Sequence, residues 1–120
     1  MGSIPTVGII KRDKMKGYRY EIVDNGKHCG FLTALDDYFN IDEIIDLCWF
    51  FEEKLPLPTI EMTNTVSYFT KSGNRTFHKA INKAKKAFLE KGLEFICIEK
   101  EITDNIFYTD KYQIIIGQEF

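Results

Sequence analysis

The sequence predicts a single α+β domain with a mainly antiparallel sheet of five or six strands, two helices packed on one face, and the element order ββαβαββ. Three features predict this fold: a hairpin signal at Asn25-Gly26, an acidic amphipathic segment at 41–53, and a basic amphipathic segment at 72–92 followed by an apolar strand. The chain has 120 residues, which is the size of one domain with its own core. We therefore expect residues 1–120 to fold as one unit.

The first clear strands flank Asn25-Gly26, the dipeptide most typical of a two-residue type I′ turn. Residues 18–23 and 27–32 carry aromatic and aliphatic side chains, so they are predicted to pair as an antiparallel hairpin. A weaker strand is predicted at Val7–Ile10. The turn sets the register, because a shift of one residue would move every side chain to the other face. The predicted pairs are Asp24 with Lys27, Ile22 with Cys29, Tyr20 with Phe31, and Tyr18 with Thr33.

Two amphipathic helices are predicted after the hairpin. The acidic segment repeats apolar residues at helical spacing and is followed by Pro56 and Pro58, which cannot continue a helix. The basic segment shows the same spacing and stops at Gly92, a typical left-handed C-cap. The predicted buried stripes are Ile41, Ile44, Cys48, Phe51 and Leu55 in the first helix, and Phe77, Ile81, Ala84 and Phe88 in the second.

Three later segments are predicted to be strands. Thr63–Thr70 is rich in β-branched and aromatic residues. Leu93–Ile102 is apolar on both faces at its centre, which favours a central position in the sheet. Ile106–Ile116 fits either one long strand or a hairpin pinched at Asp110-Lys111, and the pattern leaves both alternatives open.

The composition is that of a globular protein without a general affinity for polyanions. Hydrophobic residues make up 44% of the chain and the formal net charge is −2, so any contact with nucleic acid or an anionic membrane would have to be local. No apolar run approaches the ~20 residues that span a bilayer, and the N-terminus lacks a signal-peptide core. Three cysteines without a C-x-x-C pair favour a reducing compartment. We expect a cytoplasmic protein that is not bound to a membrane, as a monomer or a homodimer.

The sequence contains no motif that defines a catalytic or metal site. His28 and Cys29 are neighbours, yet adjacent strand residues point to opposite faces and cannot hydrogen-bond as base and nucleophile. The two histidines are 50 residues apart, outside any H-x-x-x-H or C-x-x-C pattern, so no metal or cofactor is predicted. One alternative stays open: a small enzyme whose acid and base, drawn from Glu21, His28 and Asp110, meet only in the folded chain.

The strongest functional signal is the division of charge between the two helices. Residues 36–53 contain seven acidic and no basic residues, whereas residues 75–91 contain six basic residues and one acidic residue. Such segments can steer a partner of opposite charge. Two interpretations are open: a surface for a partner, or two helices that lie side by side and neutralise each other.

We predict a non-catalytic protein-binding module that uses the acidic helix, because an exposed aromatic residue surrounded by charge is typical of an interface anchor. A small acidic protein of this kind could cover a basic groove, which suggests a regulator or inhibitor. The chain contains 16 Ile and 13 Lys against 3 Arg, a bias expected of a bacterium, phage or mobile element with an AT-rich genome. The predicted partner-binding residues are Asp42, Asp46, Trp49, Phe50 and Glu53.

The alternative is a nucleic-acid-binding protein that uses the lysine-rich helix. Its cationic side chains would contact phosphates and the aromatic residues of the sheet would stack on bases, with an affinity that falls steeply with salt. The acidic total of the chain counts against this function. The predicted residues are Arg75, Lys79, Lys83, Lys85 and Lys86.

Overall fold

The computed structural model of the protein describes residues 15–38, 40–61 and 63–118. Within these ranges it contains an antiparallel sheet of six strands and four helices, which confirms the predicted α+β class. The strand predicted at Val7–Ile10 lies outside the described residues. The strands are β1 (Met15–Asp24), β2 (Lys27–Gly30), β3 (Thr65–Phe69), β4 (Glu94–Ile102), β5 (Ile106–Thr109) and β6 (Gln113–Gly117). The helices are α1 (Phe31–Asp37), α2 (Asp42–Lys54), α3 (Lys71–Thr76) and α4 (His78–Glu90).

Two short helices and one additional C-terminal strand distinguish the observed element order, ββααβααβββ, from the predicted ββαβαββ. α1 replaces the end of the predicted second strand, because Phe31, Ala34 and Leu35 are buried together at helical spacing. α3 is a six-residue helix between β3 and the basic helix α4. The C-terminal segment forms two paired strands, β5 and β6, so the hairpin alternative is the one confirmed.

The Asn25-Gly26 turn forms as predicted, and both of its residues have positive φ angles. β1 and β2 pair in the predicted register, with Ile22 opposite Cys29. The predicted pairs Tyr20 with Phe31 and Tyr18 with Thr33 are wrong. They do not form because β2 ends at Gly30, where the chain leaves the sheet and begins α1. The Phe31 ring still packs against Tyr20 from the first turn of α1, with ring centroids 6.1 Å apart.

β1 is the centre of the sheet. One of its edges pairs with β4 along nine positions, and the other carries both β2 and β3, from which the sheet continues through β6 to β5. β4 therefore has one neighbour among the described strands, so this part of the chain does not show the predicted central position. Its centre is apolar because Phe95 packs on the helix-bearing face, while Ile96 and Ile98 lie half-buried on the other.

β2 and β3 compete for the same edge of β1. β2 pairs with β1 from Glu21 onward, so β3 pairs only at Tyr18–Phe69 and then diverges. Arg19 lies in the resulting gap, where its Nη1 donates to the carbonyl oxygen of Ser67 at 3.1 Å and its Nε donates to Glu21 at 2.9 Å. One guanidinium thus supplies the donor that a continuous strand ladder would have provided.

The helices bury their apolar stripes against one face of the sheet. The predicted stripe of α4 is buried in full, and α2 buries Ile44, Leu47 and Phe51. Aromatic rings connect the layers: the Phe51 centroid lies 5.4 Å from Phe31 and 6.2 Å from Phe69. Each fully buried side chain of this size contributes about 1.5–3 kcal/mol, so this aromatic cluster fixes α1 and α2 on the sheet.

The opposite face of the sheet carries a smaller apolar cluster. Tyr68 alternates with Phe69 along β3 and therefore points away from the helices. It packs there with three buried isoleucines, Ile102, Ile114 and Ile116. All five residues of β6 are buried, so β6 is the strand whose two faces are both covered.

Asp110 organises the turn between β5 and β6. Its carboxylate accepts the backbone N–H groups of Tyr112 at 2.8 Å and Gln113 at 3.0 Å, and the Tyr108 hydroxyl at 2.7 Å. The buried Gln113 side chain donates to the same carboxylate and to the Pro56 carbonyl. Burial acts to raise the pKa of Asp110, but these hydrogen bonds together hold it below its ordinary value.

The same turn packs against the start of α3. Thr70 is the N-cap of α3, where its hydroxyl accepts the Gly73 N–H at 2.9 Å and donates to the Lys111 carbonyl at 2.6 Å. A Cβ atom at Gly73 would lie 2.1 Å from the carbonyl oxygen of Tyr112. Because this contact joins two backbones, only glycine fits.

We expect Gly73→Ala to lower the free energy of unfolding by about 2 kcal/mol, since the added methyl group overlaps a backbone oxygen. At an unobstructed helical site the same change would stabilise the protein by about 0.5–1 kcal/mol, so the sign of the effect tests the contact. Equilibrium denaturant unfolding measures it, with the exposed Lys71→Ala in the same helix as control. A neutral or stabilising result for Gly73→Ala would contradict the packing described.

We expect the stability supplied by Asp110 to disappear in acid. Its folded-state pKa lies below the ordinary value of about 3.9, so the unfolded chain binds the proton first and stability falls as the pH drops through the folded-state pKa. Asp110→Ala should cost about 1–3 kcal/mol at neutral pH, because its donors lose their acceptor. The stability of the Asp110→Ala variant should then fall less between about pH 4 and pH 2 than the stability of the wild type.

Thermal unfolding across this pH range measures the effect, and Asp104→Ala, at an exposed position before β5, is the matched control. The control should follow the wild-type profile. If Asp110→Ala loses stability in acid as steeply as the wild type, the Asp110 carboxylate is not the source of the acid-sensitive stability.

Candidate functional site

The predicted partner-binding residues form an exposed ridge along α2. Positions 42, 46, 49 and 53 line up on the side of the helix opposite Ile44 and Phe51, which are buried. Position 50 lies beside them, on the flank toward α4. All five side chains are exposed, and the aromatic ones reach 65% for Trp49 and 39% for Phe50. This acidic aromatic ridge consists of Asp42, Asp46, Trp49, Phe50 and Glu53.

The two aromatic residues of the ridge are held differently. The Phe50 ring lies edge-to-face against Phe51 and Phe77, with centroids 5.5 Å and 6.1 Å away. Trp49 contacts no other aromatic ring among the described residues. Phe51, the next residue but one, is 2% exposed and anchors this turn of the helix in the core. The ridge therefore presents a large apolar side chain on a fixed support.

The carboxylates of the ridge are available for intermolecular contacts. Within the described part of the chain, the side chains of Asp42 and Asp46 make no ion pair or hydrogen bond. Glu53 pairs with its neighbour Lys54, at 3.6 Å between Oε1 and Nζ, and both side chains are exposed. Exposed pairs of this kind are worth less than about 1 kcal/mol, so a cationic partner displaces only water and one weak contact.

The lysine-rich surface lies on α4, beside the ridge. The two helices run antiparallel: Phe50 near the end of α2 meets Phe77 at the start of α4, and Asp46 lines a groove with Lys83 and Lys86. The helices are thus neighbours, yet no ion pair joins them among the described residues. Each keeps its own charge on the surface. The predicted nucleic-acid-binding residues are all exposed: Arg75, Lys79, Lys83, Lys85 and Lys86.

Two of the predicted acid–base candidates meet on the sheet face away from the helices. His28 Nδ1 lies 2.9 Å from one oxygen of Glu21, and Arg19 contacts the other. Burial acts to raise the pKa of Glu21, but the hydrogen bonds from His28 and Arg19 together lower it, which favours an ionised carboxylate. Asp110, the third candidate, belongs to the β5–β6 turn, and no contact joins it to the other two.

His28 and Cys29 point to opposite faces of the hairpin, as predicted. His28 contacts Glu21, whereas the Cys29 thiol lies 3.8 Å from Asp37 Oδ2 on the helix side. Burial raises the pKa of Cys29, and the nearby Asp37 carboxylate raises it further. The thiol is therefore protonated at neutral pH and unsuited to act as a nucleophile.

A cleft that the sequence did not predict opens between β3 and the start of α1. It has a volume of about 310 Å³ and contains Arg19, whose guanidinium is already bonded to Glu21 and Ser67. A more apolar groove of about 350 Å³ adjoins it between α1 and the end of α2. Neither space is lined by the acid–base candidates Glu21, His28 or Asp110. The cleft exists because β2 and β3 share one edge of β1, which no local sequence pattern reveals.

Metal and membrane signals are absent from the part of the chain that the structure describes. No three His, Cys, Asp or Glu side chains converge there as ligands, and none of its helices has the length and apolar character needed to cross a membrane. Comparison with models of known protein families, with curated proteins and with solved structures gives no match. Functional evidence therefore comes from the surface of this chain alone.

Trp49 is the only tryptophan of the chain, so its fluorescence reports on the ridge directly. Because 65% of the residue is exposed, we expect acrylamide to quench the folded protein nearly as strongly as the denatured protein. A matched control is Phe51→Trp in a Trp49→Phe background, which places the indole at a buried position two residues further along α2. That control should be protected in the folded state, and equal protection of Trp49 would contradict the exposed ridge.

Proposed function

We propose that the protein is a non-catalytic protein-binding module that holds its partner through the acidic aromatic ridge. The observation that carries this proposal is the 65% exposure of Trp49 on a helix whose opposite side is anchored in the core. Tryptophan is among the residues most enriched at the energetic centres of interfaces, since its burial against a partner removes a large apolar area from water.

The surroundings of Trp49 support an interface with a defined centre and rim. Phe50 extends the apolar patch, and the carboxylates of Asp42, Asp46 and Glu53 border it. Central aromatic residues shielded by a polar rim commonly contribute more than about 2 kcal/mol each to binding. α2 is held by core contacts along its length, so binding requires little ordering of the backbone.

Charge defines the surface that would fit the ridge. Three carboxylates around an indole ring favour a basic partner surface with an apolar pocket. Nucleic-acid channels of enzymes have this chemistry, so the proposed role is a regulator or inhibitor that covers such a groove. The Ile and Lys bias of the chain supports a bacterial, phage or mobile-element source. Three free cysteines support the cytoplasm as the proposed location.

Nucleic-acid binding through α4 is the second candidate function. The observation that favours it is the exposure of five basic side chains around α3 and α4, none of which forms an ion pair within the described residues. Phosphate contacts from these side chains would release counterions and make the affinity strongly salt-dependent. The net charge of −2 and the neighbouring acidic ridge oppose the approach of a polyanion, which ranks this function second.

A small enzyme is the third candidate. Its supporting observation is the Glu21–His28 contact, in which a carboxylate orients an imidazole as a general base would require. The 310 Å³ cleft does not include this pair, and the neighbouring Cys29 points to the other face. We therefore rank catalysis below both binding functions.

Partner capture with ridge variants tests the proposal. Tagged wild-type and Trp49→Ala proteins serve as bait in the same nuclease-treated lysate, and captured proteins are quantified by mass spectrometry. We expect Trp49→Ala to weaken the specific capture about tenfold or more. The double charge reversal Asp42→Lys/Asp46→Lys should also reduce capture, mainly by slowing association. Phe107→Ala, which removes a ring 53% exposed on β5, is the matched control and should capture like the wild type.

All these variants should unfold at the wild-type midpoint, because every changed side chain is exposed. Unchanged capture by both ridge variants would show that the surface is wrongly assigned. Nucleic acid recovered from untreated lysate, and lost with Lys83→Glu/Lys86→Glu or at moderate salt, would favour the second candidate instead.

A further inference from the structure

The outer edge of β4 is the longest open strand edge in the described part of the sheet. β4 runs for nine residues and pairs only with β1 among the described strands. β5, the strand at the other end of the sheet, has four residues. A long open edge is a template for pairing with another chain, and natural proteins usually shorten, twist or cover it.

Apolar side chains accompany this edge on both faces. Ile96 and Ile98 are partly exposed on the face away from the helices. On the other face Cys97 is exposed. α4 packs over β4 on that face, and its Leu89 is 48% exposed. A strand edge with these neighbours would bury apolar area as well as backbone groups if a second strand joined it.

Two copies of β4 can pair antiparallel about a two-fold axis only when one residue lies on the axis, opposite its own copy. Directly opposite residues in an antiparallel ladder orient their backbone groups alike, so paired positions must both be even or both be odd. Registers centred on residues 96 to 100 keep most of the strand paired. They differ in the side chains that they bring together across the axis.

The register centred on Cys97 is the one with complementary charges. It places Glu94 opposite Lys100 and Ile96 opposite Ile98, and the symmetry repeats each pair. Centring on residue 96 or 98 places Glu94 opposite an isoleucine. The two remaining registers place identical charged residues opposite each other on the axis, which is unfavourable.

We propose that the chain forms a two-fold symmetric homodimer in which the outer edges of β4 pair antiparallel with Cys97 on the axis. The two sheets then continue into one, and both long open edges disappear. Ile96 and Ile98 of the two copies form one apolar patch, closed at each end by a Glu94–Lys100 ion pair between copies. A lysine ammonium has three donors, so Lys100 can take this carboxylate in addition to its interaction within the chain.

Charge exchange tests both the dimer and its register. Glu94→Lys and Lys100→Glu each place like charges opposite one another at both ends, so each should raise the dimer dissociation constant about tenfold or more. The combined variant Glu94→Lys/Lys100→Glu restores two opposite-charge pairs and should dimerise within about threefold of the wild type. Sedimentation equilibrium of the purified full chain measures these constants. Glu101→Lys, exposed on the same strand without a charged residue opposite, is the control for net charge.

Disulfide crosslinking gives an independent measurement. In a Cys29→Ser/Cys48→Ser background Cys97 is the only thiol, and its Cα atom should lie ~4.5–5.5 Å from that of the second copy, within the range of a disulfide. Diamide should link the dimer, since two thiols form one S–S bond and the reagent takes their two electrons and two protons. The matched protein that retains only Cys48, on α2, should stay unlinked.

A monomer at every concentration, or a dimer that neither charge reversal weakens, would overturn the proposal. So would single reversals that the combined variant fails to rescue, or crosslinking through Cys48 in preference to Cys97. If circular dichroism shows that a reversal impairs folding, the crosslinking experiment decides alone. The ridge on α2 is not part of this surface, so loss of dimerisation and loss of partner capture are separate outcomes.

Discussion

The architecture depends on how β2 and β3 share one edge of β1. The tight Asn25-Gly26 turn holds β2 against that edge, which forces β3 to diverge after a single paired position. Arg19 stabilises the divergence, because one guanidinium bonds both the Ser67 carbonyl and the Glu21 carboxylate. A half-buried carbonyl without a donor would cost about 1–3 kcal/mol. Two features follow from this arrangement: the cleft beside α1, and the divergence from β1 of the three strands β3, β6 and β5.

The strands β3, β5 and β6 also position the helices α3 and α4. α3 begins directly after β3, and the β5–β6 turn packs against the start of this helix. Thr70 donates a hydrogen bond to the Lys111 carbonyl in that turn, and Gly73 lies against the Tyr112 carbonyl. α4 then crosses back over the sheet and lies antiparallel to α2, with the rings of Phe50 and Phe77 between them. The apolar sides of both helices are used in the core. Their charged sides consequently face solvent next to each other, which creates a polarised surface.

The two proposed contact surfaces depend on different interactions, and both could be occupied at the same time. The ridge on α2 relies on side chains, so its specificity comes from Trp49 and the charges around it. The β4 edge relies on backbone hydrogen bonds, with Glu94 and Lys100 selecting the register. A dimer formed through β4 would carry two ridges. Such a protein would bind a partner with two copies of the basic surface far more tightly than one ridge alone, provided that the spacing of the sites matches.

Local patterns in the sequence determined the hairpin turn, the buried stripe of α4 and the residues of the ridge, because each depends on neighbours within one or two turns of chain. Only the tertiary structure decided that Phe31 starts a helix, that β4 has one neighbour among the described strands while β6 is covered on both faces, and that Arg19 fills a gap. Hydrophobicity indicates that a residue will be buried but not which segment buries it. That choice is made by competition between strands far apart in sequence, here β2 and β3 for one edge of β1.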